Sequence, residues 1–168
     1  GGGNDGGTTP GGQPSAIAIV SGNGQTDTVG TPLTDTLIVR LTNQQSNPVG
    51  GQLVVFSRVA GGTGGSLIPD TAISDADGQA RSRWVLGHVA GPQRVQAKVL
   101  SNQVLTANFD ATALAGPADT LLSFGGDGQA GPTNAALPES LAVVVTDQFG
   151  NPVAGRQVLW AAVGGGTV

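Results

Sequence analysis

The sequence predicts an all-β fold class: one complete β-sandwich followed by the first half of a second sandwich built to the same plan. Three observations carry that reading. First, Asn47-Pro48 and Asn151-Pro152 stand 104 residues apart. The same offset matches Gly24-Gln25 with Gly128-Gln129, Leu33 with Leu137, Leu37 with Leu141, Val39 with Val143, Leu41 with Val145, Val54 with Val158, Phe56 with Trp160, and Val59 with Val163. Self-similarity at a fixed offset marks a repeated structural unit. Second, apolar residues alternate with polar ones in short runs bounded by turn residues, the period of a half-buried strand. Third, 29 Gly and 10 Pro supply turns while 38% hydrophobic residues supply a core. A single Lys (Lys98) and a single Glu (Glu139) leave almost none of the Glu/Lys pairing that supports exposed helices.

Taken in order, residues 1–15 read GGGNDGGTTPGGQPS and hold no apolar anchor, so ordering them would cost backbone entropy with nothing buried in return. They are expected to form a flexible tether. Ala16–Val20 is the first strand, apolar on both faces. Thr36–Thr42 places Leu37, Val39 and Leu41 on one face, and the copy at Leu141, Val143 and Val145 repeats the period of two. The Asn-Pro turn follows: proline fixes φ where the chain reverses, asparagine tolerates left-handed geometry, and Gly51 and Gly155 release the chain into the next strand. Gln52–Ala60 turns Val54 and Phe56 inward, matching Val158 and Trp160. The run Gly61-Gly-Thr-Gly-Gly65 lacks the strand-to-helix setting and the Lys-Ser/Thr spacing of a phosphate cradle, and reads as a loop. Ser66–Ser74 is expected to hold short edge strands around Pro69.

Asp75-Ala-Asp-Gly78 is a tight turn into Gln79–Leu86, where Ala80, Ser82, Trp84 and Leu86 alternate with a solvated face of Arg81 and Arg83. Trp84 is the expected central aromatic. A turn around Ala90-Gly91-Pro92 leads to Arg94–Leu100 with Val95, Ala97 and Val99 inward, and Val104–Ala113 closes the unit with Ala107, Phe109 and Ala111 inward. Roughly seven to nine short strands in about 100 residues describe an immunoglobulin-like sandwich. The domain plan is a tether over 1–15, a first domain over 16–114, a linker over 115–118, and the N-terminal half of a second domain over 119–168. On the 104-residue offset Val168 matches Gly64, inside the glycine loop.

A net charge of −4 and a pI near 4.5 argue against nucleic acid as a partner, since phosphate binding needs clustered Lys and Arg. With no Cys, neither a disulfide framework nor a thiolate metal site can be built. His88 is the only His and sits in a loop without partners for a metal site or a base and nucleophile pair. No enzymatic activity and no cofactor are expected. The one constellation to weigh is acidic: Asp75 and Asp77 in the turn, Asp110 in the last strand of the first unit, and Asp119 at the junction, oxygen ligands of the kind calcium takes. The turn lacks the third acidic position and the terminal Glu of a calcium loop, and Asp-Gly is already accounted for as hairpin chemistry.

Three motifs together resemble a known family. Asp147-x-x-Gly150-Asn-Pro-Val-x-Gly155-x-x-Val-x-Trp160, Thr71-x-x-Ser-x-x-Asp77-Gly-x-Ala80-x-x-x-Trp84 and Ala90-Gly91-x-x-x-Val95-x-Ala97 look like the bacterial Ig-like group 1 (Big-1) domain of the invasin and intimin family. The resemblance covers nearly all of residues 16–168. It implies rod-like extracellular spacers of adhesins and surface lipoproteins, with receptor binding placed in a distal module absent from this chain. In the first unit Asn43 stands for the usual Asp and Ser46 for the usual Gly, a departure that touches the turn and not the fold. The N-terminal composition resembles the spacer that follows the lipidated Cys of bacterial lipoproteins.

Two functions compete. One is a lipid-anchored stalk at the bacterial surface, partnered by further Ig-like repeats; the other is a filament subunit or a carbohydrate- or protein-binding module that borrows strands from neighbouring copies. An exposed aromatic patch would favour the binder. Phe56, Trp84, Phe109, Phe124 and Trp160 all look core-directed, which leaves Phe149 for a surface and favours the spacer.

Overall fold

The computed structural model describes residues 12–59 and 62–164. Among them all regular structure is strand, with no helix. Most of the expected tether, the end of the Gln52–Ala60 strand, Gly61 and residues 165–168 lie outside the described residues. The chain separates into two compact units, one ending at Leu114 and the other beginning at Ala115.

The first unit contains β1 (Ala16–Ser21), β2 (Gln25–Thr28), β3 (Leu37–Thr42), β4 (Leu53–Arg58), β5 (Ser66–Ile68), β6 (Thr71–Ile73), β7 (Gln79–Val85), β8 (Gly91–Val99) and β9 (Thr106–Leu114). They form two sheets, β1-β3-β7-β5 and β2-β9-β8-β4-β6. Every pairing is antiparallel except β2 alongside β9. The alternation read from sequence sets the inward faces. Leu37, Val39, Leu41, Ala80 and Trp84 from one sheet and Val54, Phe56, Val95, Ala97, Val99 and Phe109 from the other form one buried cluster, with Trp84 at 0% exposure. Arg81 and Arg83 point to solvent as expected. The architecture is an immunoglobulin-like all-β sandwich.

The chain changes sheets between β5 and β6. β5 pairs with β7 and β6 with β4, and Pro69 sits between them, where no ladder N–H is required. Ser82 Oγ donates to the Pro69 carbonyl at 2.7 Å and fixes the corner. Two buried polar side chains, Ser74 and Gln93, are satisfied locally. Ser74 Oγ accepts from Gln52 N–H at 3.0 Å and donates to the Val49 carbonyl at 2.8 Å. The Gln93 amide bridges the loop after β7, accepting from Gly87 N–H at 2.8 Å and donating to the Val89 carbonyl at 2.9 Å.

The second unit contains β10 (Thr120–Gly125) and β11 (Ala142–Thr146), an antiparallel pair. Its register is that of β1 and β3 moved on by 104 residues: Ala16↔Thr42 becomes Thr120↔Thr146 and Ile17↔Leu41 becomes Leu121↔Val145. The register shift between Ile19 and Ser21 recurs between Ser123 and Gly125. The expected strand around Val158 and Trp160 does not form. Its counterpart β4 is held between β6 and β8, and no described strand stands beside residues 156–160. The inward assignments in this half are corrected accordingly: Phe124 is 80% exposed, Trp160 46% and Val163 99%, with Leu141 also exposed.

Candidate functional site

The Asn-Pro turns recur in both units with matching hydrogen bonds. In the first, Asn43 Oδ1 accepts from the N–H groups of Gln45 and Asn47, both at 3.0 Å. In the second, Asp147 Oδ1 accepts from Phe149 and Asn151 N–H, both at 2.9 Å. Backbone bonds match one for one: Asn43 N–H to the Asn47 carbonyl and Asp147 N–H to that of Asn151, then Val49 to Leu41 and Val153 to Val145. Ser46 takes φ 64° where Gly150 takes 82°. The replacement of Asp by Asn and of Gly by Ser therefore leaves the turn intact, because asparagine offers the same acceptor oxygen.

Asp147 has a second carboxylate oxygen to place. Its Oδ2 accepts from Gly116 N–H at 2.8 Å and from Asn151 Nδ2 at 2.9 Å, so one buried carboxylate ties the start of the unit to the turn. Burial works to raise this carboxyl. The Asn151 amide and the backbone N–H groups of Gly116, Asn151 and Phe149 outweigh that and hold it down to about 2.

Of the four aspartates weighed for calcium, Asp75, Asp110 and Asp119 accept hydrogen bonds through their carboxylates. Asp75 Oδ1 accepts from Asp77 and Gln79 N–H, and its other oxygen lies 3.5 Å from Arg81. Asp110 receives Arg94 through two hydrogen bonds of 2.6 and 3.0 Å. That pairing lowers the Asp110 carboxyl and raises the Arg94 guanidinium. Asp119 belongs to the second unit and accepts from Thr120 Oγ1. Among the described residues no three Asp, Glu or His side chains gather into a group that could hold a metal ion. His88 lies exposed in the loop between β7 and β8.

One recurring device escaped the sequence reading although its residues were aligned. Gln25 Nε2 donates to the carbonyls of Gly22 and Asp35 at 2.8 and 3.0 Å, while its Oε1 accepts from Asp35 N–H at 2.7 Å. Gln129 repeats this with Gly126 and Glu139 at 2.7, 2.8 and 2.8 Å. Gly22 and Gly126 are required there: a Cβ would stand 2.6 Å from the Thr36 carbonyl oxygen and 2.4 Å from that of Ser140. The shared Gly-Gln was the signal; the side-chain role of the Gln needed the fold.

The β10–β11 sheet carries exposed apolar side chains. Leu121, Leu122, Phe124 and Leu141 are exposed, and in unit 1 the edge of β3 is taken by β7, with Leu37↔Ser82 and Val39↔Ala80. No described strand takes the corresponding edge of β11. In unit 1 a shallow depression of about 490 Å³, lined by residues including Gln44, Gln45, Asn102 and Val104, offers amides and one exposed apolar side chain.

No protein-family model matches the chain, and no curated protein sequence does. Among solved structures, FdeC, described as a broadly conserved adhesin of Escherichia coli, superposes with a TM-score of 0.52 at 18% identity, over 83% of this chain and 42% of its own. Domains 4–9 of the surface layer protein SbsC give 0.43 at 20% identity, over 84% of this chain and 21% of theirs. Domains 5–6 of that protein give 0.43 at 19%, over 84% and 66%. This chain thus spans less than half of the adhesin structure, and at such identities the likeness concerns the fold.

Proposed function

We propose that this chain is a non-enzymatic structural and adhesion component of a bacterial cell surface, whose Ig-like domains in tandem act as a spacer or stalk. One observation carries the reading: the second unit repeats the strand register, the Asn-Pro turn and the glutamine clamp of the first at the same offset. A scaffold repeated in such detail serves length and stiffness. The fold likeness to a bacterial adhesin supports a surface location. The Big-1 resemblance and the Gly-rich residues 1–15 support an outer-membrane lipoprotein, anchored through a lipidated residue upstream and continued by further Ig-like repeats. The test is protease shaving of intact producing cells, together with detergent partitioning and acyl mass analysis of the N-terminal peptide. The stalk reading expects cleavage from whole cells and an acylated peptide. A chain protected until lysis would overturn the surface assignment, and an unacylated peptide in the aqueous phase would overturn the anchor.

The open edge of β11 favours a second reading, a filament subunit completed by strands of a neighbouring copy. Sedimentation across a concentration series separates the two. Growth of the assembly with concentration supports the filament, and a constant monomer mass removes it.

A further inference from the structure

Arg40 stands far from Arg81 and Arg83 in the sequence, and the pairing of β3 with β7 brings the three together. Arg40 lies opposite Gln79 and Ile38 opposite Arg81, while Ile68 on β5 lies opposite Arg83. Directly paired residues share a face, and so do residues two apart along a strand. Because Val39, Ala80 and Trp84 face the core, all three arginines face out, and all three are exposed. Arg94 goes elsewhere: it belongs to β8 in the other sheet and is taken by Asp110 at 2.6 Å. Little in the fold holds the three outward charges. Among the described residues Arg40 and Arg83 have no ion-pair partner. Arg81 donates to Gln79 Oε1 at 2.7 Å and stands 3.5 Å from Asp75, an exposed pair that contributes little in water. Nor does the repeated template need an arginine here, since the Ala18↔Arg40 pair of the first unit is Leu122↔Val144 in the second.

We propose that the outer face of β3 and β7 is a binding surface for a linear acidic polysaccharide, one that carries carboxylate or sulfate groups along its length. A guanidinium meets either group through two parallel N–H bonds. Strand geometry sets Arg81 and Arg83 about 7 Å apart along β7, with Arg40 one strand over, about 5 Å to the side of Gln79. This is an open row for anions spaced along a polymer, not a pocket for one compact anion. Ile68, 60% exposed beside Arg83, adds apolar surface for the C–H face of a sugar ring. Asp75 yields Arg81 to the polymer, because an exposed ion pair is exchanged at little cost. Duplex nucleic acid carries one charge every ~1.7 Å, a density that three guanidiniums on a chain of net charge −4 do not match. The binding does not depend on how the chain is anchored, so its failure would leave the stalk reading standing.

The test measures binding of the full chain to heparin, which carries sulfate, and to polygalacturonate, which carries carboxylate alone. Uncharged dextran, a DNA duplex and vesicles containing phosphatidylglycerol are the comparison probes. The acidic polymers bind at low salt and dextran does not, and the affinity falls as added salt screens the exposed charges. Arg40→Gln, Arg81→Gln and Arg83→Gln each weaken binding by about three- to tenfold, and the triple variant by about a hundredfold or more. Lys98→Gln, on the outer face of the other sheet, leaves it unchanged. The single variants decide the matter even where the triple variant melts early. Retention of heparin alone assigns sulfate as the recognised group, and of polygalacturonate alone carboxylate. Binding that survives the triple substitution, an equal loss in Lys98→Gln, equal binding of dextran, or no binding of either acidic polymer at low salt overturns the proposal. Tighter binding of the duplex or the vesicles than of both polymers overturns the choice of partner.

Discussion

At the scale of single residues, two positions related by the repeat solve one problem with different chemistry. Asn43 and Asp147 both present an oxygen to two N–H groups of the turn, but only the carboxylate has a second acceptor for Gly116. The linkage has a definite sign. The folded carboxyl is held below its unfolded value, so its contribution is fully present above about pH 4 and is lost as the pH falls toward about 2. We expect the amide resonances of Gly116 and Phe149 to titrate together near the bottom of that window; a midpoint in the ordinary carboxylate range would contradict the network. Asp147→Asn should keep the turn, as Asn43 does, and lose the Gly116 bond, seen as faster hydrogen exchange at that amide alone. Loss of the turn resonances as well would show that charge, not geometry, holds it.

Among the elements, the strands that were legible are those with a buried face, and those that were not lack one. β3, β7 and β8 alternate clearly because one side of each meets the core. β2 is Gln-Thr-Asp-Thr, an edge strand specified by its parallel pairing with β9 and by the Gln25 clamp, so no apolar period announced it. β8 begins at Gly91, ahead of the expected Arg94, because pairing with β9 carries the strand through Pro92. In the second unit Val158 and Trp160 copy the sequence pattern of β4, but the expected inward strand does not form, because a strand needs neighbours and none is described there. Trp84 is the test of the shared core. Trp84→Ala should destabilise the first unit by about 3–5 kcal/mol, read from chemical denaturation. Trp84 Nε1 is buried with no hydrogen-bond partner in the structure, so Trp84→Phe discards a donor already costly to bury and should lose less than half as much. Equal losses for the two variants would mean that the indole N–H is satisfied. Gln25→Ala removes three hydrogen bonds at the edge and should cost about 1–2 kcal/mol in the same measurement.

At the scale of the whole molecule, the described residues of the two units share a template and differ in how much of it is buried. The first closes two sheets over Trp84, Phe56 and Phe109, whereas the second presents a two-stranded sheet with Leu121, Leu122, Phe124 and Leu141 exposed. An isolated pair of strands is marginal in water, because its backbone entropy cost is not matched by apolar burial. Local stability should follow that division. Native-state hydrogen exchange is expected to protect the amides of β3, β8 and β9 to the level of global unfolding, while those of β10 and β11 exchange through low-energy opening. Adding a peptide copied from residues 78–86, which carries the β7 sequence that covers β3 in the first unit, should slow exchange along Leu141–Val145 if the repeat extends to strand recognition, since the same antiparallel register is available there. The scrambled peptide should leave it unchanged. Equal protection of both units without any peptide would mean that the second unit is stabilised without a strand beside β11, and the shared template would then set its geometry without setting its stability.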